Sequence, residues 1–153
     1  MECPRGFSLR GALKMAGPGL IPELDVSDLE RSLEFYVSLI GFAVLYVREE
    51  ERFAYLTLDD AHLMLEEAAG PGRRFRLAPL EYPYGRGVNF QITVADAVTL
   101  HERVLAAGFV PQMPIEERWY RRDSREIGLR QFALADPDGY LLRFATRIRR
   151  RSL

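Results

Sequence analysis

The sequence predicts an α+β fold built from two tandem βαβββ modules. Three observations carry that expectation. Two helical segments each begin at an aspartate that follows a strand and end at a glycine that precedes a phenylalanine, Asp28 to Gly41 and Asp96 to Gly108. Each helix is followed by short segments that alternate apolar and polar residues at the period of a strand. Between the copies lies "AAGPGRRFRLAPLEYPYGRG", with four glycines and three prolines in twenty residues, a linker composition.

In chain order, residues 1–19 read as a flexible arm, because "MECPRGFSLRGALKMAGPG" is interrupted by glycine and proline and has no continuous apolar core of a secretory leader. The first module covers residues 20–68. "LIPELDVS" is its first strand, and the helix runs from about Asp28 to Ile40, with Ser27 and Glu30 spaced as a capping box. Leu29, Leu33, Tyr36, Val37 and Ile40 form its apolar face, and Gly41 is placed to end it in a left-handed conformation. Strands follow from Phe42, Arg52 and His62. The linker takes residues 69–87, and its aromatic residues predict that it packs on something. The second module covers residues 88–146: a strand from Val88, the Asp96 helix, and strands around Val110, Arg130 and Leu141. Asp136-Pro137-Asp138-Gly139 is a tight turn between the last two. Residues 147–153 form a basic tail.

Composition narrows the function. The chain has 153 residues, 48% hydrophobic and 28% charged, which suits one soluble domain or two fused halves. No apolar run approaches the roughly 20 residues of a membrane span. The lone cysteine, Cys3, excludes a disulfide framework and suits a cytoplasmic protein. The net charge is −1, with +4 on the tail and +2 on the arm, so the body from Met15 to Ala145 carries −7. An acidic body argues against nucleic acid and favours a cationic ligand. There is no nucleophile elbow and no phosphate loop in strand–loop–helix context.

"IPELDVSDLERSLEFYVSLIGF" and "QFALADPDGYLLRF" resemble the vicinal oxygen chelate superfamily, which includes glyoxalase I, extradiol dioxygenases and the fosfomycin and bleomycin resistance proteins. The resemblance covers about Leu20 to Thr146 and is nearest to the bleomycin-resistance branch. It implies curved sheets around a concave cavity, a homodimer, and in the enzymes one divalent metal held by His, Glu or Gln on the first and fourth strands of each half. Carried over, those positions are Ile21 and Asn89, seven residues before the capping Asp28 and Asp96, then Met64, and Arg143, seven after Asp136. None is a usual hard-metal ligand, and Arg143 is a fixed cation. The expectation is therefore no metal and no cofactor. His62, placed at a turn, and His101, placed on a helix away from the sheet, read as structural. Glu23, Asp25 and Glu66 offer carboxylates for a displaced site.

Strand alternation sends Glu23, Asp25, Phe53, Tyr55, Glu66, Asn89, Gln91 and Arg143 to the cavity, and "EERWYRRDSREIG" reads as a lid that brings Trp119 and Tyr120. Aromatic rings stack on flat ligands and carboxylates attract cations. The reading is a non-catalytic binder of a small molecule, of the cationic aromatic kind of bleomycin, acting by sequestration. The partners expected are that ligand and a second copy of the chain, without nucleic acid or membrane. Arg143 is expected to pair with Glu23, Asp25 or Glu66, or with an anionic group of the ligand. The alternative is a metal-dependent lyase or oxidoreductase of the glyoxalase or dioxygenase type with an atypical site.

Overall fold

The structure, a computed structural model, describes residues 17–152, the last four of them as backbone. Residues 1–16 of the expected arm, with Cys3, lie outside the described residues. Two four-stranded sheets form. In the first, β1 (Glu23–Val26), β4 (Ala61–Glu67), β3 (Phe53–Leu58) and β2 (Ala43–Arg48) lie side by side in that order. In the second, β5 (Asn89–Thr93), β8 (Leu141–Ser152), β7 (Arg125–Ala135) and β6 (Met113–Arg122) repeat it. β1 pairs with β4, and β5 with β8, in parallel, while the other neighbours are antiparallel. The repeat of caps in the sequence is thus a repeat of topology.

The helices are α1 (Leu29–Leu33), which continues as a π-helical segment over Glu34–Ile40, and α2 (Ala97–Ala106). Asp28 caps α1 by accepting from the Arg31 amide, and Asp96 caps α2 by accepting from Val98 and Thr99. Gly41 takes φ of 106°, the left-handed end the sequence predicts, and Gly108, where the second helix is expected to end, takes φ of 85°. The Ser27–Glu30 capping box does not form. Ser27 donates to Asp138 of the other module, and Glu30 pairs with Arg52, so both side chains find stronger charged partners than a helix amide. The π-helical segment also changes the buried face. The Gly41 and Phe42 amides both donate to the Tyr36 carbonyl, and the wider turn faces the adjacent Phe35 and Tyr36 inward, at 3% and 0% exposure. Leu33 and Val37, expected in the core, are only half-buried.

Other boundaries shift for simple reasons. β1 begins at Glu23 instead of Leu20, and β6 at Met113 instead of near Val110, which stays exposed. β8 runs on through the expected tail to Ser152, because the long β7 supplies it with hydrogen-bonding partners. One apolar core joins both sheets and both helices, with Leu24, Val26, Leu56 and Leu65 on one side and Ile92, Phe132, Leu142 and Phe144 on the other.

The Asp-Pro-Asp-Gly turn locks the modules together. Asp136 Oδ1 accepts from the Asp138 and Tyr140 amides and holds the turn, while Oδ2 accepts from the Tyr36 hydroxyl at 2.8 Å. Asp138 accepts from the Ser27 amide and hydroxyl and from Arg31. Tyr140 Oη donates to the Asp25 carbonyl at 2.9 Å. Burial first, then the charge of Asp136, pushes the Tyr36 phenol well above its ordinary value, so it stays a donor. Burial also raises the Asp136 carboxyl, opposed by the hydrogen bonds it accepts from Tyr36, Tyr140 and Asp138.

Tyr36→Phe would leave a buried carboxylate oxygen without that donor. We expect a loss of about 1–3 kcal/mol in urea unfolding at neutral pH. A loss below about 0.5 kcal/mol, the range of neutral surface substitutions, would show that this bond does not hold the modules together.

Candidate functional site

The faces of interest are those turned away from the helices, here called the open faces. On the first sheet, Glu23, Asp25, His62, Met64 and Glu66 alternate with the core residues Leu24, Val26, Leu63 and Leu65, as the strand period requires. Phe53 and Tyr55 share this face, as predicted, but both are buried. Tyr46 of the edge strand β2 stacks on Tyr55 at 5.2 Å and 28°, and the Arg48 guanidinium lies 3.7 Å above Phe53. The Tyr55 hydroxyl bonds His62 Nδ1 at 2.9 Å. His62 is therefore inside β4 and not at a turn. Tyr46 and His62 complete an aromatic wall that sequence reasoning missed. Their alternation on β2 and β4 was available as a signal for it.

Two carboxylates of this face, Asp25 and Glu66, are occupied by the linker. Arg74 Nη1 lies 2.6 Å from Glu66, and its Nε is 3.7 Å from Asp25. Arg76 Nε lies 2.6 Å from Asp25. Arg74 is anchored from behind by the Glu67 and Gly70 carbonyls. The linker crosses so closely that a Cβ on Gly72 would stand 1.7 Å from Glu66 Oε1, so a larger residue there would push the Glu66 and Arg74 side chains out of this pairing. Burial, then the hydrogen bond and charge of Glu66, raise the Glu23 carboxyl above its ordinary value.

The second open face is basic. Arg143 stands beside Gln91 in the β5–β8 register, and its Nη1 lies 3.5 Å from Gln131 Oε1. The Gln131 amide nitrogen donates to Glu116 and to the Tyr120 hydroxyl. Arg121, Arg122, Arg143, Arg147, Tyr120 and Gln91 border a hollow of about 360 Å³. Arg143 does not pair with Glu23, Asp25 or Glu66: it stands on β8 of the second sheet, and the linker arginines pair Asp25 and Glu66 on the first. A second hollow, of about 280 Å³, lies at the junction of the modules and brings His62 beside Asn89 and Gln91.

Two further expectations are corrected. Trp119 and Tyr120 belong to β6 and not to a lid, because "EERWYRR" pairs residue by residue with β7. Alternation then separates them. Tyr120 is on the open face with Gln131, whereas Trp119 lies over Gly128 beside Ile148 and donates to Glu117, on the opposite face. His101 is buried against the sheet, 5.2 Å from the Phe132 ring, and its Nε2 accepts from the Ile115 amide at 3.4 Å.

The four positions implied for a metal do not fit one. Met64 and Ile21 supply no hard donor, Asn89 supplies a neutral amide, and the Arg143 guanidinium would repel a cation. Among the described residues, Asp28, Glu30 and Glu67 do converge on the surface, but Arg52 pairs with both glutamates. Arg52 also holds the Glu67 carboxyl below its ordinary value.

Residues 22–144 match the Glyoxalase/Bleomycin resistance protein/Dioxygenase superfamily. The chain belongs to this superfamily. It is 29% identical over 136 residues to bleomycin resistance proteins from Geobacillus stearothermophilus and Staphylococcus aureus, covering 84% of this chain and 96% of each relative. In fold it is similar to the crystal structure of TioX from Micromonospora sp. ML1, at 22% identity and a TM-score of 0.67, over 86% of this chain and all of that one. It is also similar to a virulence protein of Salmonella typhimurium, at 16% identity and a TM-score of 0.65, over 88% of this chain and 99% of that one. The two repeated modules, each with a four-stranded sheet of the same strand order, fit the superfamily's fold.

The raised Glu23 carboxyl gives a signed pH test. Its native form binds a proton more tightly than the unfolded chain does. Its favourable contribution is therefore complete below the ordinary Glu range and is lost as pH rises through the raised folded value. Glu23→Gln should have a higher urea midpoint than the parent at pH 7, and the difference should vanish at about pH 3.5, below the ordinary value of roughly 4.3. An equal midpoint at pH 7 would remove the repulsion between Glu23 and Glu66.

Proposed function

We propose that the chain binds a flat aromatic small molecule on its open faces and sequesters it without breaking a bond. The observation that carries this reading is the set Ile21, Met64, Asn89 and Arg143 at the positions where superfamily enzymes hold a metal. With no hard-ligand set there, the Lewis-acid step that polarises substrate oxygens has no seat. Tyr46, exposed on the edge strand and stacked over the buried Tyr55 and Phe53, supports the ring part of the reading. The relatives' name, bleomycin resistance protein, points to a cationic antibiotic of that type as the candidate.

Within this proposal the ligand contacts come from Glu23, Asp25, Phe53, Tyr55 and Glu66 of the first face and from Asn89, Gln91, Tyr120 and Arg143 of the second. A cationic group enters the first face by displacing Arg74 or Arg76 from its carboxylate, which weakens its net gain. Trp119 leaves the contact set because of its side of β6. The proposal includes a cytoplasmic homodimer. The edge strand β2 exposes Val44, Leu45, Tyr46 and Val47 together, a patch that a second copy would cover.

Calorimetric titration with bleomycin should give saturable binding of one ligand per pocket at micromolar or better affinity, and the protein should protect plasmid DNA from bleomycin cleavage. No heat and no protection would remove this ligand. Metal analysis of the purified protein tests the broader class. Stoichiometric, tightly held iron, manganese, nickel or zinc would overturn the non-catalytic reading.

A further inference from the structure

We propose that the open face of the second module is an anion subsite, which holds an oxyanion group, carboxylate or phosphate, of an organic ligand. The inference deepens the small-molecule reading above and rests on it for the assignment of the open faces. It runs against the sign of charge that the acidic body suggests, and the reason is local. The carboxylates Asp25 and Glu66 of the first face are neutralised within the chain by Arg74 and Arg76. The arginines of the second face are not. Among the described residues, no carboxylate lies within ion-pair distance of Arg122, Arg143 or Arg147. Among the described residues, no acidic residue lines the hollow that Arg121, Arg122, Arg143 and Arg147 border, so the charge available at that hollow is positive.

The hollow is also short of acceptors. Arg143 Nε is buried without a hydrogen-bond partner, and its Nη1 reaches Gln131 only at 3.5 Å. Gln131 spends its own donors on Glu116 and Tyr120, so the nearest carboxylate is satisfied through the amide and not by the guanidinium. The Tyr120 hydroxyl accepts from Gln131 at 2.6 Å, which leaves its own proton to donate. Arg121 lines the same hollow, facing Glu126 across the β6–β7 register, and bonds the Asp123 carbonyl. Guanidinium groups crowded together without counter-charge repel one another, and a buried unbonded N–H costs free energy. A planar guanidinium fork matches the two oxygens of a carboxylate or phosphate, and one oxyanion would answer both deficits at once. The hollow of about 360 Å³ has room for such a group with part of its carrier. Gln91 borders both this hollow and the junction hollow at His62, so a ligand anchored at Arg143 can extend toward the first module.

Phenyl phosphate, inorganic phosphate and phenyltrimethylammonium, titrated into the full chain by calorimetry, separate charge from ring. Phenyl phosphate should bind saturably, more tightly than inorganic phosphate, and its affinity should fall as salt rises. Arg143→Gln and the exposed Arg147→Gln should each weaken it by about tenfold or more. Arg143→Lys should recover only part of the loss, and phenyltrimethylammonium should be insensitive to all three. If Arg143→Gln does not fold, Arg147→Gln decides the matter alone. Absent phenyl phosphate binding, or equal binding by parent and Arg147→Gln, would overturn the subsite. Tighter binding of single-stranded DNA that grows with its length would overturn it in favour of a nucleic-acid surface. Phosphate binding without bleomycin binding would remove the antibiotic and keep the subsite, and the reverse result would do the opposite.

Discussion

The bond from Tyr36 to Asp136 joins two buried residues one hundred positions apart, and the site depends on it. Each module alone would expose an apolar helix face and an unanswered polar group. Packed together, the Tyr36 hydroxyl satisfies one Asp136 oxygen while two amides of the turn satisfy the other. Asp138 and Tyr140 extend the same turn to Ser27, Arg31 and the Asp25 carbonyl. The tip of one hairpin thereby positions β1, which carries Glu23 and Asp25. The π-helical turn belongs to this arrangement, because it carries both buried rings, Phe35 and Tyr36. Phe35 then meets Phe109 of the second module, and Tyr36 meets the aspartate.

Charge is distributed by the same logic of internal satisfaction. Glu66 is 4% exposed, a position where an unpaired carboxylate would be costly. The linker answers it with Arg74, and Gly72 lets the backbone come close enough to do so. The linker is thus part of the first face and fills it with the chain's own cations. A ligand cation competes there with an intramolecular partner that has no association entropy to overcome. Among the described residues no linker cation lies on the second face, where Gln131 mediates between Glu116 and Arg143 without giving the guanidinium a charged partner.

Much of the fold was legible in the sequence because it rests on local rules. Aspartate caps, left-handed glycines and alternating strands each act over a few residues, and all of the expected strands appear with shifted ends. The sides of β1, β4 and β5 were also legible, since their core residues alternate cleanly. Contacts made over long sequence separations were hidden. Ser27 looked like a capping residue because its competitor, Asp138, lies 111 residues away. Trp119 and Tyr120 looked like a lid because their segment is polar. Their pairing with β7 depends on the long hairpin and not on apolar alternation. The partners of Arg143 were misjudged for the same reason, since no sequence pattern reveals that linker arginines reach Asp25 and Glu66 first.

Arg143 therefore does more than remove a metal ligand. A carboxylate at that position could share a cation with donors on neighbouring strands, and the face would remain acidic or neutral. A guanidinium at the same point reverses the local field, and its fixed charge cannot be discharged by losing a proton at any ordinary pH. Gln91 beside it, Tyr120 across the sheet and Arg147 on the same strand are all groups that present donors to an anion. Of the four positions implied for a metal, only Arg143 borders the hollow of the second face, on which side chains converge from β5, β6 and β8. In the proposed subsite these groups act as hydrogen-bond donors for an oxyanion, where electron-pair donors would be needed for a cation.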